Sequence, residues 1–262
     1  MSHVITEIDG PIGIVTLNNP EKHNAFDDVL IADLTAAFRI LDANAAIRVV
    51  VLSAVGKSFS AGADLNYMKR MASYSQEENL RDAMALATLM RTLHTLCKPT
   101  IARVQGAALG GGVGLVACCD MAVGTHNATF SLSEAKLGLI PAVISPYVIA
   151  AIGERAAHRY FLTAERFDAG EAFRLGLLHE IAPSDDEMDE RINDLTTALM
   201  RCSPNAIAEG KQLIAAVAGR SIDDSLTRNT AERIARVRAS EEGRDGLGAF
   251  LEKRKARWIV EN

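Results

Sequence analysis

Two short stretches of this 262-residue chain are built to present bare backbone. From Gly106 to Gly114 the run GAALGGGVG places five glycines in nine residues and then enters the apolar stretch LVACC. Glycines leading into an apolar helix leave the first amide N–H groups of that helix unpaired and pointing outward, reinforced by the helix dipole. Without a Cβ, a flat ligand group can approach the main chain. Upstream, SFSAGADL (residues 58–65) is a second run of small residues, whose amides could face the first set. Two converging N–H groups suit the negative oxygen of an enolate or a tetrahedral intermediate, and loss of one such donor costs about 2.7–4 kcal/mol of barrier in enzymes.

Other chemistries fail on spacing. The cluster Gly110, Gly111, Gly112 and Gly114 has no G-x-G-x-x-G register, and GKS at residues 56–58 lacks the glycine a P-loop needs, because Val51 stands there. There is no G-x-S-x-G elbow and no H-E-x-x-H, and the six histidines are dispersed. Cys97, Cys118, Cys119 and Cys202 form no C-x-x-C pair. An enzyme built on this chain works with backbone donors and carboxylates.

The elements that must hold these loops alternate. Val4 to Ile8 and Ile12 to Leu17 read as a hairpin around DGPIG. Phe26, Leu30, Leu34, Phe38 and Leu41 recur at helical spacing, and RVVVLSA (residues 48–54) is a β-branched run suited to a strand covered on both faces. GKSFSAGADLNYM reads as a loop, and Ser75 with Glu78 as a capping box opening a helix. KPTIARVQG, DMAVGT and ATFSL read as strands. Beyond Gly153 the pattern is helical, with a capping box at Ser184 and Glu187 and an N-cap at Ser203 before Pro204. AERIARVRASEEGRDGLGAFLEKRKARW reads as one helix mixing apolar stripes with charge. The chain divides into an α/β core, residues 1–184, and a helical subdomain, residues 185–262.

A composition of 48% hydrophobic, 23% charged and 5% aromatic residues is that of a soluble globular protein, and a formal charge of −5 points away from nucleic acid and anionic membranes. With neither an N-terminal targeting pattern nor a membrane-length apolar run, a cytoplasmic protein with a small-molecule ligand is expected.

SFSAGADLNYM, KPTIARVQGAALGGG and SEAKLGLIP, in this order and spacing, resemble the crotonase (enoyl-CoA hydratase/isomerase) family across essentially the whole chain. The resemblance implies an α/β superhelix of ββα turns, a C-terminal helical trimerisation region, a trimer or a hexamer, and an acyl-CoA thioester substrate with no metal or redox cofactor. It assigns the two oxyanion-hole amides to Ala63 and Gly111 and a catalytic glutamate to Glu134. Ala61, Asp64 and Leu65, with Lys22 and Ala25 in PEKHNAF, match positions that line CoA. Phe250 and Lys253 match tail positions that reach a neighbour's CoA.

Two departures stand out. The family's hydratases carry a first glutamate where this chain has Gly114, and GLIPAVISPYV replaces a glycine-rich turn. Ala142 is then expected to offer its N–H to the water, and Gly114 to leave room for a branched acyl chain. Glu134 acting alone suits a Δ3,Δ2-enoyl-CoA isomerase, and a homologue that binds acyl-CoA without turning it over is a further alternative. Tyr67 and Asp120 are weaker substitutes for the lost carboxylate, Asp120 being expected to serve structure. The run from Ser133 to Ala172 resembles most the bacterial methylglutaconyl-CoA hydratase branch of leucine and branched-terpenoid breakdown. That branch implies a branched or dicarboxylic 2-enoyl-CoA such as 3-methylglutaconyl-CoA.

Overall fold

The computed structural model describes residues 2–259. The chain opens with the expected hairpin, β1 (Val4–Asp9) against β2 (Ile12–Leu17), antiparallel. Asp27 caps α1 (Asp28–Ala43), accepting from Leu30 N–H. The apolar stripe predicted there, Leu30, Leu34, Phe38 and Leu41, is fully buried.

Two sheets then grow side by side. Each turn of chain lays one strand on a six-stranded sheet, crosses to a four-stranded sheet, and leaves it into helix. The first turn is β3 (Val49–Ala54), β4 (Ser58–Ser60), α2 (Leu65–Met71) and α3 (Gln76–His94). The second is β5 (Thr100–Val104), β6 (Ala107–Leu109) and α4 (Gly111–Cys118). The third is β7 (Met121–Thr125), β8 (Thr129–Ser131) and α5 (Ser145–Thr163). The larger sheet runs β1-β2-β3-β5-β7-β10 and the smaller β4-β6-β8-β9, where β9 is Arg166–Asp168 and β10 is Glu180–Ala182.

Gly106 marks one crossing: its φ is +61°, and a Cβ there would lie 1.9 Å from Lys57 O. Only glycine fits. β4, β6, β9 and β10 escape the sequence reading: each has only three residues, too few to display a period of two, and of the three-residue strands only β8 is marked, by ATFSL.

β3 alternates as a doubly covered strand should. Val50 and Leu52 join the main core beneath α1 and α3, while Val49 and Val51 join a second cluster with Met188 and Ile192. Those two belong to α7 (Asp185–Met200), so the first helix of the expected C-terminal subdomain is the outer cover of the sheet. Ser184 caps α7, although Glu187 turns to the Ser184 hydroxyl and closes no reciprocal box. The Ser75–Glu78 box is complete.

α6 (Ala169–Leu175) follows β9 directly. α8 (Pro204–Val217), α9 (Asp224–Ala239) and α10 (Glu241–Glu252) pack mainly on one another. The long helix predicted at the end is therefore two: Ser240 ends α9 and caps α10, and at Gly243 a Cβ would meet Val237 O at 2.1 Å. The tail is tied to the core by Arg48, which donates to Trp258 O at 3.0 Å and Cys202 O at 2.5 Å, and by Lys211 on Asp120 at 2.6 Å. Asp120 also accepts from the Thr100 amide and hydroxyl, the structural role expected of it. Among the described residues no helix is long and apolar enough to cross a membrane.

Candidate active site

β4, β6 and β8 are parallel neighbours, so their C-terminal ends line up along one edge. Ala63, Gly111 and Glu134 each follow one of those ends, which is where ligands of parallel sheets bind.

Ala63 lies in a loop held by its neighbour. Residues 23–26 run beside 61–64 like a short strand pair: Ala61 N–H donates to His23 O at 2.9 Å, Phe26 N–H to Gly62 O at 2.7 Å, and Asp64 N–H to Phe26 O at 2.8 Å. Gly62 N–H turns to Ser60 Oγ at 3.4 Å. Amides alternate in direction along an extended segment, so Ala63 N–H points away from Phe26. It has no partner among the described residues.

Asn24 anchors this pairing from a left-handed conformation, φ +54°, that asparagine tolerates better than most residues. Its fully buried side chain donates to Val55 O and Ser58 O, both at 2.9 Å, and accepts from Asn19 N–H. This residue was invisible to pattern reading, since its burial depends on contacts made thirty residues away.

Gly111 is the first residue of α4. Every other helix except α5 begins on an Asp or Ser whose side chain accepts an amide of the first turn. α4 begins on Gly110, with φ +51° and no capping side chain. Gly110 N–H is spent on Ser131 O, whereas Gly111 N–H has no partner among the described residues. The Phe26 ring backs it, 3.3 Å from where a Gly111 Cβ would be.

Glu134 sits in a 3-10 turn, Ser133–Leu137, just beyond β8. Its Oε1 comes within 3.0 Å of the position a Gly110 Cβ would take, so glycine at 110 meets both a conformational and a steric requirement. Its Oε2 is buried without a hydrogen-bond partner. Burial raises the carboxyl above its ordinary range, partly offset by its own amide.

Ala63, Gly111 and Glu134 line one cavity of about 360 Å³, walled by apolar side chains of α1, α2, α3 and the segment before α5. The wall carries two more polar side chains that can titrate, Tyr67 and Asp82, and no Lys, Arg or His.

The structure separates the other predicted site residues. Ala61 and Ala142 line the cavity, but Ala142 N–H is bonded to Ile140 O at 2.8 Å and is not free to hold a water as expected. Gly114 lies behind the wall, and the space expected for acyl branching is filled: a Cβ there would fall 2.3 Å from Ile144 Cγ2 and 3.2 Å from Met90 Cε. Ile144 takes the volume that the absent carboxylate leaves.

Lys22 pairs with Asp64 at 3.1 Å, and the Asp64 carboxylate also caps α2. The Tyr67 amide, opposed by burial and supported by Lys22, holds that carboxyl below its usual range. Ala25 is buried, its N–H donating to Lys22 O at 3.1 Å, and Leu65 is exposed. Phe250, 82% exposed, and Lys253, at the C-terminal cap of α10, lie outside the cavity wall.

Two unpartnered main-chain amides and a half-buried glutamate with one unpartnered oxygen line the same cavity, and comparison with known proteins decides the family. Residues 7–260 match the Enoyl-CoA hydratase/isomerase family. The chain belongs to it. An enoyl-CoA hydratase from Shewanella pealeana is 46% identical in sequence and superposes with a TM-score of 0.95, over 98% of this chain and 96% of that one. The Short-chain-enoyl-CoA hydratase of Clostridium acetobutylicum is 29% identical, over 97% of each chain. The Mevalonyl-coenzyme A hydratase sidH of Aspergillus fumigatus is 31% identical, over 94% of this chain and 90% of its own. In this enoyl-CoA hydratase/isomerase family member, Phe26, Ile144, Tyr67 and Asp82 line the cavity and Asn24 anchors the loop beside it, positions that the sequence reading left unassigned or set aside.

Proposed function

We propose that this enzyme adds water across the Cα=Cβ bond of a 2-enoyl-CoA, with a branched and uncharged acyl chain. The thioester oxygen accepts from Ala63 N–H and Gly111 N–H, drawing electrons from the conjugated double bond. Water attacks Cβ and the negative charge passes to the oxygen between the two amides. Glu134, as carboxylate, takes a proton from that water and delivers a proton to Cα, so it ends as it began, with one C–O and one C–H bond formed. The observation that carries this reading is the pair of unpartnered amides lining one cavity with the unpartnered Glu134 oxygen.

The apolar wall supports an aliphatic acyl chain, and the name of the Aspergillus relative supports a branched one. Glu134 and Asp82, with no cation in the wall, weigh against the dicarboxylic substrate first expected. Incubation with crotonyl-CoA, 3-methylcrotonyl-CoA and 3-methylglutaconyl-CoA, followed by loss of conjugated-thioester absorbance, tests the proposal. Turnover of the first two ahead of the third is the expected result, and no loss with any of them overturns it.

A second reading is favoured by Ile144, which leaves Glu134 without a partner carboxylate at 114. One base suffices to move a proton between two carbons, so a Δ3,Δ2-enoyl-CoA isomerase predicts a rise in the same absorbance from 3-hexenoyl-CoA. We also propose self-association to a trimer or hexamer through the C-terminal helices, supported by exposed Leu247, Phe250 and Leu251 on α10.

A further inference from the structure

The acyl cavity carries a polar feature that the reaction above does not use. Tyr67, on α2, is 4% exposed, and its hydroxyl donates to Asp82 Oδ1 on α3. Burial, then Asp82, pushes the phenol's pKa far up, so it stays protonated and its proton is committed to Asp82. The other Asp82 oxygen has no partner among the described residues, and both side chains line the cavity beside Met68, Met71 and Leu86. What this corner offers a ligand is therefore acceptors: the lone pairs of a phenol and one carboxylate oxygen. A neighbouring cation, Arg70, is stacked 5.4 Å from the Tyr67 ring centre, with its guanidinium bonded to Asp28. It forms no part of the wall.

We infer that the Tyr67–Asp82 pair is an acyl-selectivity subsite, which accepts a chain ending in an uncharged hydrogen-bond donor such as a hydroxyl and turns away a chain ending in a carboxylate. The inference rests on the acyl-CoA reading of the cavity and names its substrate class. A terminal hydroxyl donates to the free Asp82 oxygen. A terminal carboxylate has no donor to meet there and faces a like charge, a juxtaposition that discriminates against it.

Binding isolates this from catalysis. Saturated five-carbon thioesters, pentanoyl-CoA, 5-hydroxypentanoyl-CoA and glutaryl-CoA, are titrated calorimetrically into the wild type and into Asp82→Asn, which keeps an acceptor for the Tyr67 hydroxyl. The wild type should bind glutaryl-CoA about 10-fold or more weaker than pentanoyl-CoA, and 5-hydroxypentanoyl-CoA at least as tightly as pentanoyl-CoA. Asp82→Asn should close most of the glutaryl gap, read as the ratio of glutaryl-CoA to pentanoyl-CoA affinity within the same variant. Equal wild-type affinity for glutaryl-CoA and pentanoyl-CoA, a ratio unmoved by the substitution, or no binding of any of the three overturns the subsite. Pentanoyl-CoA binding without turnover of crotonyl-CoA, 3-methylcrotonyl-CoA or 3-methylglutaconyl-CoA overturns the hydratase reading alone, and the affinity ratios still decide the subsite.

Discussion

Glu134 carries the sharpest consequences for single residues. Replacing it with glutamine should lower kcat by about 10²–10⁴-fold, the usual worth of a general acid–base group, with the fold retained by circular dichroism. Its raised pKa sets two signs. As a base it must be ionised, so kcat/KM should fall on acidification with a midpoint above the ordinary carboxylate range, and this limb should be absent from the residual activity of Glu134→Gln. For stability, a carboxyl raised by burial carries no penalty below its unfolded pKa and a growing one as pH rises through its folded pKa. Glu134→Gln should therefore match the wild-type Tm at low pH and exceed it at high pH, read by thermal unfolding across that window.

Gly111 permits an equally clean test, because it is the first residue of α4, where proline needs no N–H for the helix. Gly111→Pro should cost about 10²–10³-fold in kcat. Gly111→Ala, which sets the same Cβ against Phe26 but keeps the amide, should cost far less, and equal losses would remove Gly111 from the mechanism.

Among the packed elements, the contact between α4 and the start of α5 decides what the missing carboxylate means. A side chain at 114 runs into Ile144 and Met90, so Gly114→Glu should destabilise by about 1–3 kcal/mol or more through overpacking. Gly114→Glu combined with Ile144→Ala should recover much of that loss, a favourable coupling visible in a denaturant double-mutant cycle.

The same contact shows where the sequence was legible. The glycine runs announced the loops because glycine density is local, and the hairpin, α1 and the Ser75 cap followed from spacing and turn chemistry that lie within a few residues. That Ile144 fills the hole at Gly114, and that Ala142 spends its amide on Ile140, depends on how α5 packs against α4 and on one loop torsion. Neither leaves a mark in composition or period. Likewise Tyr67 reads as a loop residue and a weak substitute for the lost carboxylate, and Asp82 as an ordinary helical residue, until α2 and α3 are set side by side.

For the molecule as a whole, the C-terminal helices hold few buried side chains of their own: none in α8, Leu226 in α9, and Asp245 and Ala249 in α10. Ile222 is 91% and Leu251 79% exposed. The proposed self-association would bury these exposed side chains against other copies. Sedimentation velocity should give a trimer or hexamer, and Phe250→Asp with Leu251→Asp should shift it toward monomer with loss of thermal stability. A monomeric wild type would refute the assembly.

The two-sheet winding has a consequence for how new reactions arise on this scaffold. Successive coils each place one residue of the cavity at the same rim, and on the proposed mechanism carbonyl activation belongs to the first two coils and proton traffic to the third. Rewriting the few residues after β8 can then exchange one reaction for another, while the apparatus that recognises and polarises the thioester stays untouched.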